Sequence, residues 1–131
     1  MVKVLDDLIL KIDDYFKSWK SRYVYCGSIS LYLNGVKEIT EFTDIDIDFL
    51  DFTEKYIIDY PGFCVCNLPV DMLTPVKGIE RKYHEINFHG RKLFISDLDY
   101  ELSARELFIK DLIYFYRDKA LKRIELLKRY I

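Results

Sequence analysis

The sequence predicts an α+β fold. Apolar residues recur at helical spacing near the start, alternate with acids or sit in short β-branched and aromatic runs through the middle, and return to helical spacing from Ser96 onward. Helix, strand, helix, several strands, then helices is the element order of an α+β domain. With 131 residues the chain has the length of one domain, residues 1–131. Half of the residues are hydrophobic and 16% are aromatic, which supplies one core in a short chain.

Val4, Leu5, Leu8, Ile9, Ile12, Tyr15 and Phe16 follow a helical period, with Asp6, Asp7, Lys11, Asp13 and Asp14 mostly opposite. This first amphipathic helix is expected to end between Ser18 and Ser21. Arg22 to Cys26 is β-branched and aromatic and reads as a short strand. Gly27 and Ser28 break it, and a short helix from Ile29 to Asn34 is closed by Gly35. Ile45, Ile47 and Phe49 then alternate with Asp44, Asp46 and Asp48, the pattern of a strand with one apolar and one acidic face.

The stretch from Asp51 to Tyr60 is ambiguous, with a helical turn before Pro61 and Gly62 as one reading. Phe63 to Asn67 and Val70 to Leu73 read as strands split by Pro69 and stopped by Pro75. Tyr83 to Phe88 and Lys92 to Ile95 flank His89, Gly90 and Arg91, which predicts a hairpin. Ser96 to Asp99 and Ser103 to Glu106 both have the spacing of a capping box. Beyond them Leu107, Leu112, Ile113, Phe115, Tyr116, Leu121, Ile124 and Leu127 suit a long C-terminal helix or a bent pair.

The net charge is −2 and the pI about 5.7, so no general basic excess points to nucleic acid. No uncharged apolar run is long enough to span a bilayer. Asp6 and Asp7 stand where a signal peptide needs a basic flank and an apolar run, so a cytoplasmic, intracellular location is expected. Three cysteines, Cys26, Cys64 and Cys66, fit a reducing compartment. Cys64 and Cys66 with His84 and His89 are zinc-ligand types, but Cys-x-Cys is not a standard finger spacing. Small buried thiols and exposed imidazoles explain them as well.

Asp44 and Asp46 carry the chemistry. Two residues apart on a strand, their carboxylates share one face and repel each other unless a cation lies between them. Mg²⁺ is such a cation in phosphoryl-transfer sites, and carboxylates accept Mn²⁺ alike. Asp48 continues the face, so Asp46 and Asp48 are an alternative pair. Asp71 is a lone acid in the apolar run Val70 to Leu73, costly there if buried and unpaired. Beside the Asp44–Asp48 strand it would add a third ligand to a two-metal site. Gly27 and Ser28, between strand and helix, suit a phosphate: backbone N–H groups approach the anion and the serine adds a hydroxyl. Each feature alone is also an ordinary solvated strand or turn.

In this order, Cys26 to Gly35 followed by Phe42 to Ile47 resembles the signature of the minimal nucleotidyltransferase superfamily, which has the DNA polymerase β-type fold. That signature is an apolar strand, Gly-Gly or Gly-Ser, a short helix, then a small hydroxyl residue before Asp-x-Asp. Leu31, Leu33 and Gly35 are especially similar to the small abortive-infection toxin and antitoxin types. Thr43 fills the hydroxyl position, which favours Asp44 and Asp46 as the pair. The resemblance implies a mixed sheet flanked by helices. It implies that Gly27 and Ser28 bind a nucleoside triphosphate. It also implies that Asp44, Asp46 and Asp71 hold Mg²⁺ or Mn²⁺ and act in catalysis, with Asp71 helping to deprotonate the acceptor. Ser96 to Asp99, Lys110 and Arg117 to Lys119 resemble the family's later helix, and Lys110 would neutralise phosphate charge. Two departures stand out: the gap from Gly-Ser to Asp-x-Asp is lengthened by Val36 to Glu41, and Glu41 and Phe42 stand where a basic residue is expected.

The leading expectation is an enzyme that moves a nucleoside monophosphate to a hydroxyl of a protein, an RNA or a small molecule. The alternative is a catalytically silent domain of this fold that binds a protein partner or nucleic acid. The short C-terminal region leaves little chain for an acceptor domain. Tyr114, Phe115 and Tyr116 suit packing in a homodimer, against a partner or within the core. For nucleic acid, Lys77, Arg81, Lys82, Arg91 and Lys92 would form a basic edge, with Lys119, Lys122, Arg123, Lys128 and Arg129 at the end of the last helix.

Overall fold

The structure is a computed structural model, described for residues 4–19, 21–51, 63–73, 78–109 and 114–131. The chain runs α1 (Val4–Phe16), β1 (Tyr23–Cys26), α2 (Gly27–Leu33), β2 (Ile45–Phe49), β3 (Cys64–Val65), β4 (Leu68–Leu73), β5 (Tyr83–Phe88), β6 (Arg91–Ser96), α3 (Leu98–Phe108) and α4 (Tyr114–Lys128). The six strands form one sheet in the order β3-β4-β2-β1-β6-β5. β1 runs antiparallel to β2 and parallel to β6, and β2 runs parallel to β4. The sheet is therefore mixed, and the α+β expectation holds.

Period two divides β2 as the sequence implies. Ile45 and Ile47 are fully buried and join Ile9, Ile12 and Phe16 of α1 and Tyr25 of β1 in the core cluster. Trp19 stacks on Phe49 with ring centroids 4.9 Å apart and extends that core at one end. The α1 face departs from the simple pattern at Val4 and Tyr15, which are exposed, and at one acid. Asp13 is buried, its Oδ1 accepting hydrogen bonds from the hydroxyls of Tyr23 and Tyr25, both at 2.7 Å. Two donors from the first strand thus satisfy an acid that spacing alone assigns to the polar side.

Pro69 does not split a strand. It lies inside β4 opposite Cys64, and the chain reverses at Cys66 and Asn67, whose φ values of 52° and 64° make the two-residue turn. The second hairpin reverses at His89 and Gly90, with φ of 49° and 83°. Neither expected capping box caps a helix. Ser96 ends β6, Asp97 is the residue before α3 with no side-chain cap, and Ser103 to Glu106 lie within that helix. The C-terminal segment is a helix pair, α3 and α4. Ile124 and Leu127 are buried, whereas Leu107 and Leu121 are exposed. The readings at Asp51 to Gly62 (beyond Asp51), Pro75, Leu112 and Ile113, and the side chains of Phe115 and Tyr116, lie outside what is described. No described helix is long and apolar enough to cross a membrane.

Candidate active site

The acidic face of β2 meets the same face of its neighbours. Asp46 pairs in register with Cys26 of β1 and with Asp71 of β4. Asp44 lies just before β2. One carboxylate oxygen from each of Asp44, Asp46 and Asp71 falls within 4.8 Å of the others. Like charges this close disfavour ionisation. Burial first, then the charges of Asp44, Asp71 and Glu101, push the Asp46 carboxyl up to about 7. Asp44 is also raised, by burial and then by Asp71. A cation among the three oxygens reverses this repulsion, so the donor set fits a hard divalent ion.

Asp48, the alternative ligand, is used elsewhere. Its Oδ2 is 3.0 Å from Arg81 Nε, with Asp48 buried and Arg81 largely so. Arg81 also donates to Cys26 Sγ at 3.0 Å and to Ser96 Oγ at 3.3 Å, and its guanidinium lies over the Tyr100 ring. The metal-type cluster is thus Asp44, Asp46 and Asp71, with Asp48 behind it. Among the described residues it is the one such cluster; His84 instead meets Asp97, and His89 meets Asp6.

A cavity of about 580 Å³ opens beside the acids. Ser28, Asp44 and Asp46 line one side, and Glu38 to Glu41 with Thr43 line a second. The rest of the lining is cationic: Arg105 from α3, and Lys119 and Arg123 from α4. Arg105 Nε and Arg123 Nη1 are buried with no hydrogen-bond partner among the described residues. Burial and the charge of Arg105 lower the Arg123 pKa, while Glu101, Asp46 and Asp44 act against that shift. Two guanidinium groups held together with unfilled donors fit an anion, and a polyanion reaching the three carboxylates through a cation suits both walls.

Gly27 enters the site through its missing side chain. At its φ of 59°, a Cβ would fall 2.1 Å from Asp46 Oδ2. Its N–H, expected to face a phosphate, instead donates to Glu101 Oε1 at 2.6 Å. Ser28 does line the cavity. Lys110 lies outside the described residues. The basic edge expected around the second hairpin is largely neutralised: Arg81 pairs with Asp48, Lys82 with Asp99, and Arg91 with Asp13 and Asp14. Lys77 is outside the described residues.

Glu101 and Arg105 were not legible as site residues. Their only trace is an opposite-charge i, i+4 pair on one face of α3. Such pairs ordinarily mark a solvated helix face.

Two solved structures share this fold. An antigenic nucleotidyltransferase-like protein from Paracoccidioides brasiliensis superposes with a TM-score of 0.63 at 10% identity, over 94% of this chain and 74% of its own. A candidate nucleotidyltransferase from Thermotoga maritima gives a TM-score of 0.56 at 18% identity, over 99% of this chain and 94% of its own. No family model matches the sequence, and no curated protein matches it. At these identities the likeness establishes a nucleotidyltransferase-type fold.

Proposed function

We propose that the protein is a metal-dependent nucleotidyltransferase, which moves a nucleoside monophosphate from a nucleoside triphosphate to a hydroxyl acceptor. The observation that carries this reading is the make-up of one cavity: Asp44 and Asp46, which cluster with Asp71, line it together with Arg105, Lys119 and Arg123. Asp44, Asp46 and Asp71 would hold Mg²⁺ or Mn²⁺. When bound, the metal would neutralise phosphate charge and make the acceptor hydroxyl easier to deprotonate.

The chain's own residues would do the rest. Arg105 and Arg123 would bind the triphosphate through their unfilled buried donors, with Lys119 adding charge and Ser28 a hydroxyl. Asp71, the most exposed acid of the three, is open to an incoming acceptor and would take its proton. The acceptor oxygen then bonds to the α-phosphorus, the bond from that phosphorus to the α–β bridging oxygen breaks, and pyrophosphate leaves. Catalysis here is mostly positioning and charge balance.

A second reading is a silent domain that binds nucleotide or a partner without turnover. It is favoured by Glu101, which already occupies the Gly27 N–H. Incubation with each labelled nucleoside triphosphate and Mg²⁺ or Mn²⁺ separates the two. Label transferred to protein or RNA, and lost in Asp44→Ala/Asp46→Ala, supports the enzyme. Metal-dependent binding without transfer to any acceptor supports the silent domain. Absence of metal-dependent nucleotide binding would defeat the enzyme and leave only a partner-binding domain.

A further inference from the structure

Glu101 is buried in the first turn of α3, 7% exposed, and its carboxylate is fully engaged. Oε1 accepts the Gly27 N–H at 2.6 Å, and Oε2 accepts the Ser96 hydroxyl at 3.3 Å. Ser96 in turn accepts from Arg81, which pairs with Asp48. A continuous polar path therefore runs from β2 through Arg81, Ser96 and Glu101 to the turn at Gly27. Ser30 reinforces the turn, its hydroxyl donating to Gly27 O at 2.7 Å.

The position of that turn is critical. Gly27 sits so close to Asp46 Oδ2 that no side chain fits between them, so any drift of the turn changes the room available to Asp46. Ser28, one residue on, faces the cavity. One helical turn beyond Glu101, Arg105 belongs to the cationic wall. A single helix thus grips the Gly27 turn with one residue and supplies part of the cationic lining with another.

We propose that Glu101 is a positioning residue of the transferase site: its carboxylate stands in for a phosphate at the Gly27 N–H and locks the Gly27–Ser28 turn to the helix that carries Arg105. This rests on the reading of the cavity as a triphosphate site. The incoming nucleotide then meets Ser28 and the cationic wall at a fixed separation, and the Gly27 N–H is not among its donors.

Two variants separate reach from charge. Glu101→Asp keeps the charge but is one methylene too short for both contacts. Glu101→Gln keeps the length, and its carbonyl still accepts the Gly27 N–H. The readouts are the dissociation constant for Mn²⁺ with a nucleoside triphosphate and the hydrogen-exchange protection of the Gly27 amide. Glu101→Asp is expected to weaken binding about ten-fold and to lose amide protection. Glu101→Gln is expected to keep both, binding as tightly as the parent or more so. Ile9→Val, destabilised in the core away from the cavity, should bind as the parent does. Equal behaviour of the Asp and Gln variants, or loss in the Gln variant alone, overturns the proposal. So does the same loss in Ile9→Val, since that reports stability rather than position. If the parent binds no nucleotide the functional reading fails, whereas unchanged Gly27 protection in Glu101→Asp defeats the clamp itself.

Discussion

Asp46 Oδ2 fills the space that a side chain at Gly27 would need, 2.1 Å from the place of its Cβ. Gly27→Ala therefore carries two costs. The left-handed backbone at a φ of 59° costs about 1–2 kcal/mol for a residue with a Cβ, and Asp46 must turn away from its partners. Urea denaturation should show that loss of stability, and Mn²⁺ titration should show affinity at least ten-fold weaker. A folded Gly27→Ala protein with parental Mn²⁺ affinity would separate Gly27 from the acidic cluster.

The raised pKa of Asp46 fixes a direction for pH. The folded protein holds this proton more tightly than the unfolded chain, in which the carboxyl titrates near 3.8. The resulting stabilisation is complete below that value and is lost as pH rises through about 7. In EDTA the melting temperature should fall across this window, and Asp46→Asn should flatten that fall. Mg²⁺ favours the ionised carboxylates, so added Mg²⁺ should raise the parent's melting temperature more at pH 8 than at pH 5. An Asp46→Asn profile parallel to the parent's would refute this assignment.

Arg123 is predicted to trade stability for binding. It is half-buried beside Arg105, and both burial and that neighbour disfavour its charge. Arg123→Met should leave the melting temperature of the nucleotide-free protein unchanged or higher. Its affinity for a nucleoside triphosphate should fall at least ten-fold. Inorganic triphosphate should stabilise the parent in thermal melts and stabilise the variant less.

Arg81 and Asp48 form a buried ion pair at 3.0 Å. Arg81→Met alone or Asp48→Leu alone should cost about 3–5 kcal/mol by leaving a buried charge without its partner. The double variant should recover much of that loss. Urea denaturation of the three proteins forms the cycle, and strict additivity would show that the pair is not coupled.

The sequence made the acidic strand and Gly27 legible because period two and a Gly-Ser break are local signals. Asp44, Asp46 and Asp71 are brought together as expected, and the mixed sheet is present. Other features depend on partners distant in sequence. Asp13 can be buried because Tyr23 and Tyr25 donate to it, and Asp48 leaves the cluster because Arg81 meets it. Pro69 fits within β4 because the turn chemistry is supplied by Cys66 and Asn67. Arg105 and Arg123 look like ordinary surface cations until α3 and α4 are folded over the cavity.

The parallel pairing of Asp46 with Asp71 joins two strands that are well separated along the chain. A slip of β4 by one residue would set Val70 or Met72 opposite Asp46 and turn Asp71 to the other face of the sheet. Only the correctly zipped sheet presents all three carboxylates together. An ion bound there would therefore proofread the folding of its own host, favouring chains whose strands are in step and leaving misaligned ones without that reward.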